Sequence, residues 1–536
     1  MRHIVYSFFT SVLICAAALL SVALTAPPAS AQVTAFKQAV AEAASSDEDM
    51  ATFYRESGYA ALWTGASDLH LDRRAHLMHA LRSAGDHGLP PSRYDPNGLM
   101  QMLAQVRTPR DRGMAEVALS KAYLQYARDV QSGMLTPREI DRGMVREVSY
   151  RDREVYLTEL AAARPAAYLR SLPPQSMEYN ALVREKRALE ARLAQGGWGP
   201  RVSAKSLKPG DAGPAVLTLR NRLIKMGFLA RTNAHDYNDN MQAAVLAFQQ
   251  AHGLNADGTA GATTLQQINV GVEERLQSVI VAMERERWVG SARGARHILV
   301  NIPDFSAKII DDGKVTFRTR SVVGARQDER PTPEFSDTMT HMVINPSWYV
   351  PRSIATKEYL PALKRNPNAL SHMVITDRRG RRVNRNAVDF NNYTVRSFPY
   401  AMRQPPSKSN ALGLVKFMFP NKYNIYLHDT PAKNLFSRDV RAFSHGCVRL
   451  ADPFDFAYEL LSRQEADPQR YFQSVLRTGR ELRVDLATPV PVHLIYRTAV
   501  TNAKGQMEYR ADVYGRDAKI WRALSRAGVA LTSLQG

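Results

Sequence analysis

The spacing of apolar residues changes period once along this chain, near residue 295, and no single core accommodates both patterns. Up to about residue 200 the apolar positions recur at helical spacing, as in the stripe Leu119, Tyr123, Tyr126, Ala127 and Val130. Beyond residue 295 short β-rich runs take over: His297–Ile302, Ala307–Ile310 and, after an Asp312-Gly313 turn, Val315–Phe317. Further strands are expected at Met342–Ile344 and Asn424–Leu427, with a closing hairpin from Val492–Tyr496 through a Gly505 turn to Glu508–Arg510. A chain of 536 residues exceeds what one core supports, so about three domains are expected. The expected class is multidomain α+β: a helical domain at 32–200, a small three-helix module at 201–275 and a β-rich domain at 276–536.

Pro90-Pro91, Pro109 and Pro137 punctuate the first region, and Gly196-Gly197-Trp198-Gly199-Pro200 reads as a linker. In the small module, Val216, Leu219, Leu223 and Met226 mark one helix closed by Gly227. Ala244, Val245 and Phe248 mark a second, closed by Gly253, and Thr263–Ile268 a short third. Inside the β-rich domain a long basic insertion, about 350–405, carries Arg378, Arg379, Arg381, Arg382 and Arg385. Its length suggests a lid over a site, with a plain surface excursion as the alternative.

Export is expected. Arg2, an apolar run from Ile4 to Leu24 and the small residues Ala29-Ser30-Ala31 read as a signal peptide, residues 1–31, cleaved after Ala31. No other stretch is apolar and long enough to span a bilayer, so no transmembrane anchor is expected after cleavage. Cys15 lies in the signal, which leaves Cys447 as the sole thiol and excludes an internal disulfide. The net charge of +20 would suit nucleic acid, but export and the lack of any nucleic-acid-binding motif favour an anionic wall or membrane surface.

Chemistry concentrates between residues 425 and 450. His428 follows an expected strand, and Cys447 lies within Ser444-His445-Gly446-Cys447-Val448-Arg449-Leu450. An imidazole can take the thiol proton and create a nucleophile. Gly446 permits a tight turn beside the sulfur, so that amides near Gly446 and Cys447 could face an oxyanion. Arg449 could hold a substrate carboxylate. Zinc is disfavoured, because no Cys-x-x-Cys pair accompanies the site, so no metal is expected. Spacing alone leaves core residues as an alternative.

This segment resembles the L,D-transpeptidase catalytic domain (YkuD-type), in which a His precedes Ser-His-Gly-Cys-hydrophobic-Arg. Asn410-Ala411-Leu412-Gly413, Val415–Asn421, Tyr426–Pro431, Arg441-Ala442-Phe443, Asn345-Pro346-Ser347-Trp348, Val350-Pro351 and Tyr514-Gly515-Arg516-Asp517 resemble its large multidomain periplasmic subfamily. So do Leu172-Pro173-Pro174 through Tyr179 and the Gly-Gly-Trp linker, while Ser407 stands where a Gly is expected. Residues 206–270 resemble the peptidoglycan-binding type 1 module, through Pro209-Gly210-Asp211, Ala-Val-x-x-Phe-Gln, His252-Gly253-Leu254 and Asp257-Gly258-x-x-Gly261, with a spacer that has lost binding as the alternative. The resemblance implies Cys447 as nucleophile and His428 as general base. It implies an oxyanion hole from the Gly446 and Cys447 amides with the Tyr426 hydroxyl, and substrate contacts from Ser444, His445 and Arg449. The implied reaction needs no cofactor. A Cys447 thioester forms on a tetrapeptide stem with loss of D-alanine and passes to an amine of a second stem, giving a 3→3 cross-link. The implied partners are peptidoglycan stem peptides and glycan, with carbapenems as inhibitors, in the periplasm.

Three readings compete. Water could replace the amine, giving an L,D-carboxypeptidase or endopeptidase, or a protein amine could be tethered to the wall. A non-catalytic wall-binding scaffold is opposed by the intact Cys447, His428 and Gly446. A papain-like peptidase is opposed by chain order, since His428 precedes Cys447.

Overall fold

The computed structural model describes residues 28–289, 293–327, 330–502 and 505–531, which form two compact units. The expected signal segment lies outside the described residues, apart from its last positions in the helix Pro28–Ala44. Among the described residues no helix is long and apolar enough to cross a membrane.

The first unit comprises residues up to Met134, Ser149–Ser176 and Arg526–Ala530, and is helical. Its longest helix, Pro109–Ser132, starts with a capping box in which Thr108 and Asp111 exchange hydrogen bonds, and Pro109 occupies the first turn where no N–H is needed. Its expected stripe is buried, all five residues from Leu119 to Val130 packing into a core with Tyr54, Trp63 and Tyr156. Residues 135–148 and the helix Met177–Ala194, read from sequence with this domain, fall in the second unit instead. The reason is visible in packing: the helix Met177–Ala194 lies against the buried helix Val272–Trp288.

Within the second unit three helices, Pro214–Lys225, Asp239–Ala251 and Ala262–Ile268, enclose a small apolar core of Val216, Leu219, Met241, Val245, Phe248 and Ile268. Each expected helix of this module is present. Asn238 caps the second by accepting from the Met241 N–H.

Among the described residues fourteen strands follow. β1 (Arg296–Asn301), β2 (Ser306–Asp311), β3 (Lys314–Gly324) and β4 (Phe335–Ile344) precede the insertion. β5 (Trp348–Tyr349), β6 (Val374–Thr376) and β7 (Ala401–Gln404) belong to it. β8 (Val415–Met418), β9 (Leu427–His428), β10 (Ala442–Ser444), β11 (Val448–Leu450) and β12 (Leu482–Ile495) return to the main sheet, and β13 (Ala499–Thr501) and β14 (Met507–Tyr509) pair separately. The main sheet runs β10-β3-β11-β9-β8-β4-β12-β1-β2, and a further pairing of β2 with β3 closes it on itself. Closure leaves β10, which pairs with β3 alone, outside the ring and encloses Ile298, Met342, Phe417, Leu427, Val448 and Phe456.

Two sequence expectations change. Asn424 has a φ of +54°, so the strand expected from 424 begins only at Leu427. The Val492 run belongs to β12, in parallel register with β1, and the closing hairpin instead joins Ala499–Thr501 to Met507–Tyr509.

The insertion is a small folded body, not an irregular loop. Its sheet, β5-β7-β6, packs with Ile354, Leu363, Phe390, Phe398 and Leu412 into a core of its own. Arg381 binds Asp377, and Arg385 donates to the carbonyls of Ala369, Leu370 and Met373, so these two arginines hold the insertion's own turns.

Candidate active site

β9 and β11 are adjacent parallel strands in the register Leu427↔Val448 and His428↔Arg449. Side chains alternate across a strand, so Leu427, Val448 and Leu450 point into the apolar core, where all three are fully buried. Tyr426 and His428 therefore share the opposite face with Cys447 and Arg449. Adjacent parallel strands lie about 4.8 Å apart, which brings these four side chains into one cluster.

His428 is buried and its Nδ1–H donates to the Asp429 carbonyl at 2.5 Å. A carbonyl can only accept, so in the neutral ring the Nε2 carries the lone pair. The Leu412 carbonyl also reaches the imidazole. The turn that presents it is specified: Asn410 donates to the carbonyls of Pro346, Gln404 and Pro405. Gly413, at φ +61°, sits where a Cβ would lie 2.2 Å from the Asp429 carboxylate. The Asn-Ala-Leu-Gly run thus supports His428. Burial pushes the imidazole pKa down to about 3, the Arg449 charge adds to this, and the carbonyls oppose it.

The nucleophile candidate follows a tight turn. Gly446 has φ +114°, a Cβ there would lie 3.1 Å from Ile425 Cδ1, and the Thr332 hydroxyl donates to its carbonyl at 2.7 Å. Ser444 Oγ accepts from the Gly446 N–H at 3.1 Å and donates to the Cys447 carbonyl, fastening the turn. Thr332 is itself held: Tyr514 Oη accepts from its N–H at 3.2 Å, and Arg516 donates to its carbonyl at 3.0 Å.

The Cys447 thiol is partly accessible, with its sulfur 3.5 Å from the Asn424 carbonyl. Burial pushes its pKa up to about 11, against hydrogen bonds from Tyr426 and the charge of Arg449. The Tyr426 hydroxyl reaches the sulfur and also meets Trp348 of the insertion. Arg449 is partly buried, and among the described residues its Nε is buried without an acceptor. His445 lies away from this cluster, and its Nε2–H donates to Glu358 of the insertion at 2.7 Å.

With the thiol pushed up and the imidazole pushed down, both groups are neutral at pH 7. The rate of Cys447 alkylation by iodoacetamide is therefore expected to keep rising past pH 9. A plateau below pH 8 would mean a resting thiolate–imidazolium pair and contradict this.

Of the residues expected at the site, Tyr426, His428, Cys447 and Arg449 form this cluster, Ser444 and Gly446 build the turn before the sulfur, and His445 turns away to Glu358. Thr332, Trp348 and Glu358 carried no sequence signal of a role at the site, although Trp348 stood in a noted motif. Among the described residues no group of three or more His, Cys, Asp or Glu side chains could hold a metal. A cavity of about 420 Å³, lined in part by Lys408, Asp429, Lys433, Asp452 and Phe454, does not include Cys447 in its wall.

Three stretches match known families. Residues 48–185 match "Scaffold domain", residues 212–268 "Putative peptidoglycan binding domain", and residues 295–492 "L,D-transpeptidase catalytic domain". A Haemophilus influenzae protein named "Putative L,D-transpeptidase" is 32% identical over 225 residues, which is 42% of this chain and 45% of that protein. The chain thus spans less than half the length of that relative. Among solved structures, the L,D-transpeptidase (residues 123–326) of Xylanimonas cellulosilytica is 15% identical, covering 55% of this chain and 98% of its own, with a TM-score of 0.17. An L,D-transpeptidase of Stackebrandtia nassauensis is 14% identical, covering 55% and 97%, with a TM-score of 0.22.

Proposed function

We propose, for a chain whose residues 295–492 belong to the L,D-transpeptidase catalytic domain family, that it cross-links peptidoglycan by acyl transfer through Cys447. One observation carries this reading: Cys447, His428, Tyr426 and Arg449 share one face of two adjacent parallel strands, with the His428 tautomer set by the Asp429 carbonyl.

In this scheme Cys447 Sγ attacks the carbonyl carbon between the third residue of a tetrapeptide stem and its terminal D-alanine. His428 Nε2 accepts the thiol proton as the C–S bond forms. The Cys447 amide and the Tyr426 hydroxyl receive the oxyanion. The Gly446 amide is a weaker contributor, since its N–H is already engaged by Ser444. The imidazolium returns its proton to the departing D-alanine nitrogen, leaving a thioester. An amine of a second stem then attacks that thioester, His428 accepts its proton, and Cys447 leaves as the thiol. No cofactor enters these steps. Arg449 grips a substrate carboxylate, while Ser444 shapes the turn and His445 a flank of the site.

The insertion at 350–405 acts in this reading as a cap that keeps water from the thioester, so that an amine wins. The module at 201–275 holds glycan or stem, and the helical domain at 32–200 is a scaffold. The chain works in the periplasm after cleavage behind Ala31, and carbapenems acylate Cys447.

Mass spectrometry of products from the purified enzyme with a disaccharide-tetrapeptide tests the scheme. A cross-linked dimer with released D-alanine is expected. Tripeptide alone would indicate hydrolysis, and no product would favour a wall-binding scaffold.

A further inference from the structure

The insertion reaches the nucleophile's turn through one carboxylate. Glu358 Oε1 accepts from His445 Nε2 at 2.7 Å and from Arg330 Nη2 at 2.9 Å. His445 stands two residues before Cys447. Arg330 is anchored beside the same turn: its carbonyl lies 3.7 Å from a Cβ placed on Gly446, and 1.9 Å from one placed on Gly324. Both donors therefore belong to the walls of the site, and the acceptor comes from elsewhere in the chain.

Three features mark this contact as replaceable. All three side chains are about one-third exposed, so water and salt weaken the pair. Both donors converge on one oxygen, and among the described residues no hydrogen bond reaches Oε2, so the guanidinium does not make its preferred two-bond fork. Glu358 also sits in a π-helical turn, Ala355–Tyr359, between the helical segments Arg352–Ile354 and Leu360–Arg365. Such turns are rare and recur at functional sites.

We propose that Arg330 and His445 form a carboxylate-binding site beside Cys447, filled by Glu358 in the free enzyme and vacated for a carboxylate of the stem peptide. This rests on the peptidoglycan reading above. Glu358 is a built-in competitor: it keeps two donors paired and the insertion seated until a stem enters. A stem carboxylate that takes its place releases the insertion at Glu358 while seating the acyl donor next to the sulfur. Two sources share this chemistry, the terminal carboxylate of the stem and a side-chain carboxylate on its third residue.

Dissociation constants measured at low salt on the full chain carrying Cys447→Ala, which cannot turn over, test the site. Three tetrapeptide stems are compared: both carboxylates free, the C-terminus amidated, and the third-residue side chain amidated. Adding Glu358→Gln is expected to tighten the free acid about fivefold, the upper end for a partly exposed ion pair. One of the two amidations should cancel that gain and so identify the source. Adding Arg330→Ala should weaken the free acid and spare that same amide, with Arg330→Lys partly restoring binding. If Glu358→Gln weakens all three peptides alike, Glu358 is a structural latch and the proposal falls. It falls equally if no peptide responds, or if Arg330→Ala leaves the free acid unchanged. Turnover by the chain that retains Cys447 is a separate readout: no product there defeats acyl transfer and leaves the binding comparison standing.

Discussion

Replacing Cys447 by alanine is expected to reduce product formation from a disaccharide-tetrapeptide by roughly three or more orders of magnitude, with the fold intact. In the proposed scheme the sulfur forms the acyl bond, with His428 Nε2 as its base and Tyr426 and Arg449 as donors. Cys447→Ser should be nearly as inactive. Burial already pushes the thiol up to about 11, and a serine hydroxyl in the same surroundings would be harder still to deprotonate by an imidazole pushed down to about 3. Stability should change little, because the thiol makes only weak polar contacts, to the Tyr426 hydroxyl and, at 3.5 Å, to the Asn424 carbonyl. Product mass spectrometry and calorimetry on the same preparation separate the two effects. An active Cys447→Ala enzyme would place the nucleophile elsewhere.

The second large effect is on stability. Glu334 is buried, with Arg285 Nη1 at 2.7 Å and Arg516 Nη1 at 3.3 Å, and Arg285 Nε also meets Asp517 at 3.0 Å. Glu334→Ala would leave two buried guanidinium groups short of a counter-charge, and breaking a buried pair in this way costs about 3–5 kcal/mol. A drop in melting temperature of roughly five degrees is expected in a unit of this size. Activity should fall too, since Arg516 also holds the Thr332 carbonyl and Thr332 holds the Gly446 turn. By contrast, Arg381 and Asp377 form an exposed pair whose loss is worth about 1 kcal/mol or less. A parental melting temperature in Glu334→Ala would show that the cluster tolerates the loss, through water or rearrangement.

Much of this was legible in the residues themselves, where the physics is local. Helical period and the closing Gly227 and Gly253 locate the three-helix module, because each signal acts within one turn. Cys447 and His428 stood out by chemistry and by resemblance. Asn424 and the final hairpin were misread because strand pairing depends on partners far along the chain. The insertion read as basic and polar, yet its apolar residues are too irregularly spaced to announce the core that they form.

Sequence alone determined which residues could do chemistry: a thiol at Cys447, a histidine before it and a glycine to allow the turn. Tertiary structure decided how they meet. The parallel register of β9 with β11 puts Tyr426, His428, Cys447 and Arg449 on one face, and the Asp429 carbonyl selects the tautomer. Thr332 and Glu358 join the site across 114 and 87 positions of chain. Hydrogen bonds act over about 3 Å of space whatever the distance along the chain, so only the folded backbone could bring those partners into view.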